Sequence, residues 1–372
     1  MIKTIGLVTG GGDAPGLNAV IRAVVKTAAN EYGVRVLGIE DSFEGCIGRM
    51  RVRELQPKDV RGLLPRGGTI LGTRNRGSFV VRDPEGATTK PHAIFEEAIR
   101  NLEAAGVDAL VVVGGEGTLA IAAEFDRLGF PVVGVPKTID NDLAATELTF
   151  GFMTALDIAT EALDRLHTTA ESHDRVMVLE VMGRHTGWIA LHSGVSGGAD
   201  VILVPEIPFS MEKVAEKVRE RERCDSQFCI IVVSEGAKEV EGEQIYIERG
   251  DRESAPRLGG LGVHVAAEVG RMTGKEARCV VLGHLQRGGT PNAFDRMLAT
   301  NFGSAAVRAL MAGRRGSMVS LQAANIRTVP LAEAIANLKT VPPDSQLIRT
   351  ARDVGISFCA PDEDRHHRPD EC

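Results

Sequence analysis

Short, nearly continuous apolar runs recur along this chain, each followed by a polar or glycine-rich turn and then by a stretch with helical spacing. Residues 2–8, 34–39, 108–113, 130–135, 176–181, 201–204, 228–233 and 278–282 read as strands, 130–135 as a buried one. Residues 17–29, 91–105, 119–128, 151–170, 259–273 and 292–311 carry the spacing of helices. The charged 211–223 stretch reads as a solvated helix, and a further short strand is expected around Val319. Strand and helix in alternation predict an α/β fold with mostly parallel sheets and right-handed crossovers. The stretch after residue 130–135 is chemically dense: Pro136-Lys137-Thr138-Ile139-Asp140-Asn141-Asp142. The proline and the polar run are expected to end the strand there.

In a parallel α/β sheet, ligands bind just past the carboxyl ends of strands. Here polar clusters follow one strand after another. After the first comes Thr9-Gly10-Gly11-Gly12-Asp13-Ala14-Pro15-Gly16, a strand–glycine turn–helix layout. Such a turn lets backbone N–H groups converge on a phosphate. Gly114-Gly115-Glu116-Gly117-Thr118 is a second glycine turn with a carboxylate inside it, which suits Mg²⁺ between carboxylate and phosphate oxygens. The other clusters are Met182–Trp188, Ser234-Glu235-Gly236 and the Gly283–Thr290 run. The 60–77 segment, with Gly72-Thr73-Arg74-Asn75-Arg76, reads as a loop suited to anions or as a solvated basic loop. Polar groups at the same end of so many strands point to an enzyme that handles anions. Residues 270–275 are one residue short of a phosphate-binding loop and read as a helix C-cap.

At 372 residues the chain suits about two domains, and 43% hydrophobic with 25% charged residues is globular. A formal net charge of −7 argues against a nucleic-acid or membrane-surface binder, so an anionic ligand must be attracted by particular arginines. The six cysteines show no CxxC pair or zinc spacing and read as free thiols in a reducing cytoplasm. The N-terminal residues lack a signal-peptide pattern and no run is long enough to span a membrane.

Taken in order, Thr9–Asn18, Gly114–Thr118, Pro136–Asp142, Met182–Gly187, Ser234–Gly236 and Gly283–Gly289 resemble the motifs of the 6-phosphofructokinases, out to about residue 355. The resemblance implies two similar three-layer α/β lobes with the active site in the cleft between them. The donor lobe would comprise residues 1–141 and 286–327, and the sugar-phosphate lobe residues 142–285 and 328–372. It implies phosphoryl transfer from ATP to O1 of fructose 6-phosphate, the committed step of glycolysis, with Asp140 as general base. Proton acceptance and positioning are what such a transfer asks of a protein. Lys137, Arg184 and Gly117 would act beside the base. Thr138, Ile139, Met182, Gly183, Glu235, His284, Leu285, Gln286 and Arg287 fall at the sugar phosphate. Arg175 and Arg278 would come from a neighbouring subunit, which implies a homodimer or homotetramer. Gly12, Arg74, Gly115, Glu116, Gly117 and Thr118 fall at the nucleotide, with Glu116 on Mg²⁺; His185 and Trp188 read as packing residues.

Two departures concern the donor. Glu116 stands where that family usually has aspartate. Gly117 is the form of the ATP users, whereas Lys137 is the form of the pyrophosphate users, so the chain resembles the mixed-donor bacterial subgroup. Glycine at 117 leaves room for the α-phosphate, and ATP is the expected donor. A reversible pyrophosphate-dependent phosphotransferase and a catalytically silent sugar-phosphate sensor are the alternatives.

Overall fold

The computed structural model describes residues 2–74, 77–82, 88–89, 91–224, 227–248 and 257–363. In chain order the elements begin β1 (Thr4–Thr9), α1 (Leu17–Thr27), β2 (Arg35–Ile39), β3 (Val52–Leu55), β4 (Val81–Arg82), β5 (Thr88–Thr89), α2 (His92–Ala104), β6 (Ala109–Gly114), α3 (Glu116–Arg127), β7 (Val132–Thr138), β8 (Phe150–Gly151) and α4 (Phe152–His173). They continue with β9 (Val176–Val181), α5 (Trp188–Ser196), β10 (Val201–Leu203), α6 (Met211–Arg223), β11 (Cys229–Ser234), β12 (Tyr246–Glu248), β13 (Arg257–Leu258), α7 (Leu261–Thr273) and β14 (Ala277–Val281). Last come α8 (Ala293–Met311), β15 (Ser317–Gln322), β16 (Asn325–Pro330), α9 (Leu331–Ala334) and α10 (Gln346–Asp353). The chain divides into two compact units, Met1–Thr154 with Arg287–Lys339, and Ala155–Gln286 with Thr340–Cys372.

The first unit is built on a sheet in the order β16-β15-β7-β6-β1-β2-β3, with β8 added beside β7. Its inner pairs are parallel, and antiparallel strands close both edges. Alternation within each strand feeds two cores. Ile5, Leu7, Val111 and Val113 pack with residues of α1 and α8 on one face. Val8, Leu110 and Val112 pack with Phe95 and Leu102 of α2 and with Leu119 and Phe125 of α3 on the other. Both faces are covered, so the strands read as unbroken apolar runs. The second unit has a parallel sheet in the order β10-β11-β9-β14. One face packs Val176, Val178, Ile231 and Val233 against α6 and α7.

Several expectations are corrected. β7 does not stop at Pro136 but runs to Thr138. Pro136 pairs in register with Gly114 of β6, and Lys137 and Thr138 then pair with Phe150 and Gly151 of β8. The proline thus falls where β7 exchanges one neighbour for another, a place where a missing N–H is tolerated. Helix α3 starts at Glu116, so the 116–118 segment is a first helical turn rather than a loop. α6 is not merely solvated, since Met211, Val214, Ala215 and Val218 are buried. Cys46, Cys229, Cys279 and Cys359 are free thiols as expected, but Cys224 is disulfide-bonded, which corrects the reading of all six as free.

Candidate active site

In the first unit, three glycine-bearing segments are stitched together at the end of β1. The Gly10 N–H donates to Val113 O of β6 at 2.9 Å, and the Gly11 N–H to Arg74 O at 3.1 Å. Thr73 Oγ1 donates to Gly11 O at 2.6 Å, and Thr9 Oγ1 to Gly72 O at 2.8 Å. Asn18, fully buried in α1, donates to Arg66 O (3.0 Å) and Gly67 O (3.2 Å) and accepts from the Ile70 N–H (2.9 Å). The 66–74 loop is therefore held against the glycine turn by a buried amide. The sequence places Asn18 at the end of the Thr9–Asn18 run but does not show this bond set. A Cβ on Gly67 would collide with the Gly289 carbonyl, so the loop after Gln286 lies against the same segments.

The predicted nucleotide residues gather here. The Gly115 backbone leads into α3, with Glu116 and Gly117 exposed in its first turn. No atom lies within 4 Å of where a Cβ on Gly117 would stand. The Thr118 side chain is buried and fills the space left by Gly10 and Gly114. The Arg74 side chain is 55% exposed, with Asp41 4.0 Å away; Arg76 lies outside the described residues.

At the end of β7, Lys137 is 3% exposed and its ammonium donates to Gly12 O. Burial lowers its pKa to about 8; the Arg287 cation pushes the same way, and Asp13, Asp140 and Asp142 oppose. Burial likewise raises Asp140 to about 6, helped by the Asp142 carboxylate and opposed by Arg287 and Lys137. An acid and a base displaced toward neutrality beside a glycine turn form a catalytic candidate. The turn carrying Asp140 is tightly bonded. The Asp140 N–H donates to Thr138 Oγ1 (3.1 Å), Thr149 Oγ1 to Thr138 O (2.7 Å), and the Thr149 N–H to Asn141 Oδ1 (3.1 Å). Ile139 is fully buried, so only its backbone is on offer to a ligand. Arg287 donates through Nη1 to Asp13 O at 3.1 Å, and its guanidinium occupies the place where a Cβ on Gly12 would stand. The structure thus groups Arg287 with the glycine turn, Lys137 and Asp140.

The other predicted sugar-phosphate residues belong to the second unit. Gly183, at φ 140°, follows β9 with no room for a Cβ beside Ser234. Ser234 Oγ donates to Gly183 O at 2.7 Å, and the Gly236 N–H to the same oxygen at 3.0 Å. Glu235 therefore follows β11 directly beside the Met182–Arg184 loop. Gln286 is fully buried and accepts the Met182 N–H at 2.7 Å, so it holds that loop from within, while His284 and Leu285 are exposed. Arg184 and His185 line a cavity of about 420 Å³ with Gly236, Lys238, Gln244 and Tyr246. His185, expected to pack, is exposed there. Arg175 and Arg278 share one carboxylate, Glu276, at 2.8 and 2.5 Å. Glu276 has no motif around it, and only the pairing of β14 with β9 brings it between the two arginines.

Among the described residues, no group of three His, Cys, Asp or Glu side chains could hold a metal by itself. No helix among them is long and apolar enough to cross a membrane.

A family model described as phosphofructokinase matches residues 4–310. The chain is 57% identical over 357 residues to an ATP-dependent 6-phosphofructokinase of Chloroflexus aurantiacus, covering 96% of this chain and 98% of that protein. It is 52% identical over 341 residues to a pyrophosphate–fructose 6-phosphate 1-phosphotransferase of Streptomyces coelicolor, covering 91% and 96%. The crystal structure of Pichia pastoris phosphofructokinase in the T-state superposes with a TM-score of 0.78 at 33% identity, over 95% of this chain and 37% of that one. This chain thus spans little more than a third of the Pichia chain's length. Matches of this identity and extent show that the chain belongs to the phosphofructokinase family.

Proposed function

We infer that this protein is an ATP-dependent 6-phosphofructokinase, transferring the terminal phosphoryl group of ATP to O1 of fructose 6-phosphate in glycolysis. The observation that carries the reading is the Lys137–Asp140 pair at the end of β7. Asp140, raised to about 6, is ionised at neutral pH yet basic enough to take the proton of the attacking hydroxyl. Lys137 and Arg287 offer positive charge beside it and beside the Gly12–Asp13 turn. Arg184, Glu235 and His284 would hold the sugar phosphate, with Arg175 and Arg278. The phosphates of the donor would lie on the Gly10–Gly12 and Gly115–Thr118 backbones.

The donor assignment rests on Gly117, whose open surroundings leave space for a nucleotide, and on relatives named as ATP-dependent. Glu116, exposed beside Gly117, would hold Mg²⁺ as a lone carboxylate. That suits an ion that takes its other ligands from phosphates and water. When bound, Mg²⁺ would neutralise charge on the transferring phosphates. Lys137 and the Streptomyces relative favour a second reading, pyrophosphate as donor. A cytoplasmic homo-oligomer fits the exposed apolar residues at the β14 edge, Val280, Val281 and Leu285.

The test is fructose 1,6-bisphosphate formation with Mg²⁺ and either ATP or pyrophosphate. Activity with ATP alone is expected. Activity with pyrophosphate alone would overturn the donor assignment, and binding of the sugar phosphate without turnover would make the protein a sensor.

A further inference from the structure

Lys339 carries no motif, and its nearest chain neighbours give it no role in phosphoryl transfer. Yet the residue is half-buried and its ammonium donates to three oxygens of one turn. These are Asn141 Oδ1 at 3.0 Å, Thr146 O at 3.0 Å and Glu147 O at 2.8 Å. The Lys339 N–H also donates to Asp142 O at 2.8 Å, and Leu338 bridges to Leu143. An ammonium has three hydrogens, and here three carbonyl-type oxygens from residues 141–147 receive them. Asn141 is in the left-handed region at φ 51°, a conformation that needs support from its surroundings. Its Oδ1 accepts both Lys339 Nζ and the Thr149 N–H, and Thr149 in turn holds Thr138, whose hydroxyl accepts the Asp140 N–H.

We propose that Lys339 is a positioning residue for the reaction, clamping the 141–147 turn so that Asp140 is presented as the base in one geometry. The inference rests on the reading of Asp140 as base. It also has an electrostatic side. The carboxylates facing Lys339 are Asp142 and Glu147, and they oppose the burial that lowers its pKa to about 8. The charges facing Asp140 are Asp142, which favours its protonated form, and Arg287 and Lys137, which favour its ionised form. The Asp142 carboxylate thus acts on both groups. Removing the Lys339 cation leaves Asp142 less well balanced, so Asp140 should hold its proton to higher pH.

The experiment compares wild type, Lys339→Met, Lys339→Gln and Lys339→Arg in kcat and KM over about pH 5 to 9, with fructose 6-phosphate binding measured directly. For Lys339→Met, kcat should fall by about tenfold or more with both KM values within about twofold. The acid limb of its kcat profile should move to higher pH. Lys339→Gln keeps an N–H donor for the turn but no charge, so it should show the same limb shift. Lys339→Arg should restore the limb. A merely structural lysine would lower the folded fraction and leave the limb in place; an unmoved limb in the uncharged variants overturns the proposal. If Lys339→Met does not fold, the glutamine and arginine variants decide on the same criterion. Wild-type protein inactive with either donor would overturn the kinase reading instead, and the inference with it.

Discussion

The chemistry is concentrated in a few side chains whose ionisation the fold has moved. Asp140 titrates higher in the folded chain, at about 6, than the 3.8 of an exposed aspartate. In the role proposed for it, as base, Asp140 must be deprotonated, so kcat should fall as pH drops through about 6. The same displacement bears on stability. The folded value lies above the unfolded one, so ionised Asp140 costs stability above about pH 6, and the cost is gone below about 4. Asp140→Asn should therefore lower kcat by roughly 10²- to 10⁴-fold. It should raise thermal stability at pH 8, by on the order of 2 kcal/mol, with the gain vanishing near pH 4. Melting curves at the two pH values test this, and a destabilised variant at pH 8 would refute the burial account. Gly117→Asp is a second test. A Cβ there meets nothing, so the variant should fold normally. Its carboxylate would crowd and repel the α-phosphate, raising KM for ATP by about tenfold or more while sparing pyrophosphate. Unimpaired ATP binding would mean that Gly117 does not govern the donor.

At the level of elements, most strands and helices were legible because both faces of the larger sheet are covered, and buried strands leave unbroken apolar runs. The failures have local causes. Pro136 signals a strand end, but β7 changes partners there and needs no N–H from it. α6 is so charged that its buried stripe, Met211, Val214, Ala215 and Val218, was masked by its exposed face. α5 and α10 are only 9 and 8 residues long, so each shows too few apolar positions to establish a helical period, even though Gly197 and Gly355 follow their ends. The packing of the 66–74 loop against the loop after Gln286 gives a sharp prediction. A methyl on Gly67 would meet the Gly289 carbonyl, which is backbone and cannot rotate away. Gly67→Ala should cost about 1–3 kcal/mol in denaturant unfolding. An undisturbed midpoint would show that the two loops do not touch in solution.

For the whole molecule, the β14 edge is where assembly is expected to show. Val281, on β14 with Arg278, is 48% exposed, and Leu285, in the 283–287 turn that follows, is 68% exposed; Arg278 is paired with Glu276. In the homo-oligomer proposed here, Val281→Lys should reduce the assembled mass in light scattering and raise KM for fructose 6-phosphate. An unchanged mass would move the interface elsewhere. The family and the strand-end clusters were readable from the chain alone, because glycine turns and titratable residues recur at strand ends whatever surrounds them. The positions of Arg287, Gln286, Glu276 and Lys339 were not. Arg287 lies against Asp13, Gln286 against Met182, Glu276 between Arg175 and Arg278, and Lys339 against Asn141. All but the short Glu276–Arg278 contact join residues about a hundred or more positions apart. A single sequence records which groups are present and their local period. Only the folded backbone decides which groups far apart in the chain share a hydrogen bond, and therefore which charges are buried together and which turn each lysine holds.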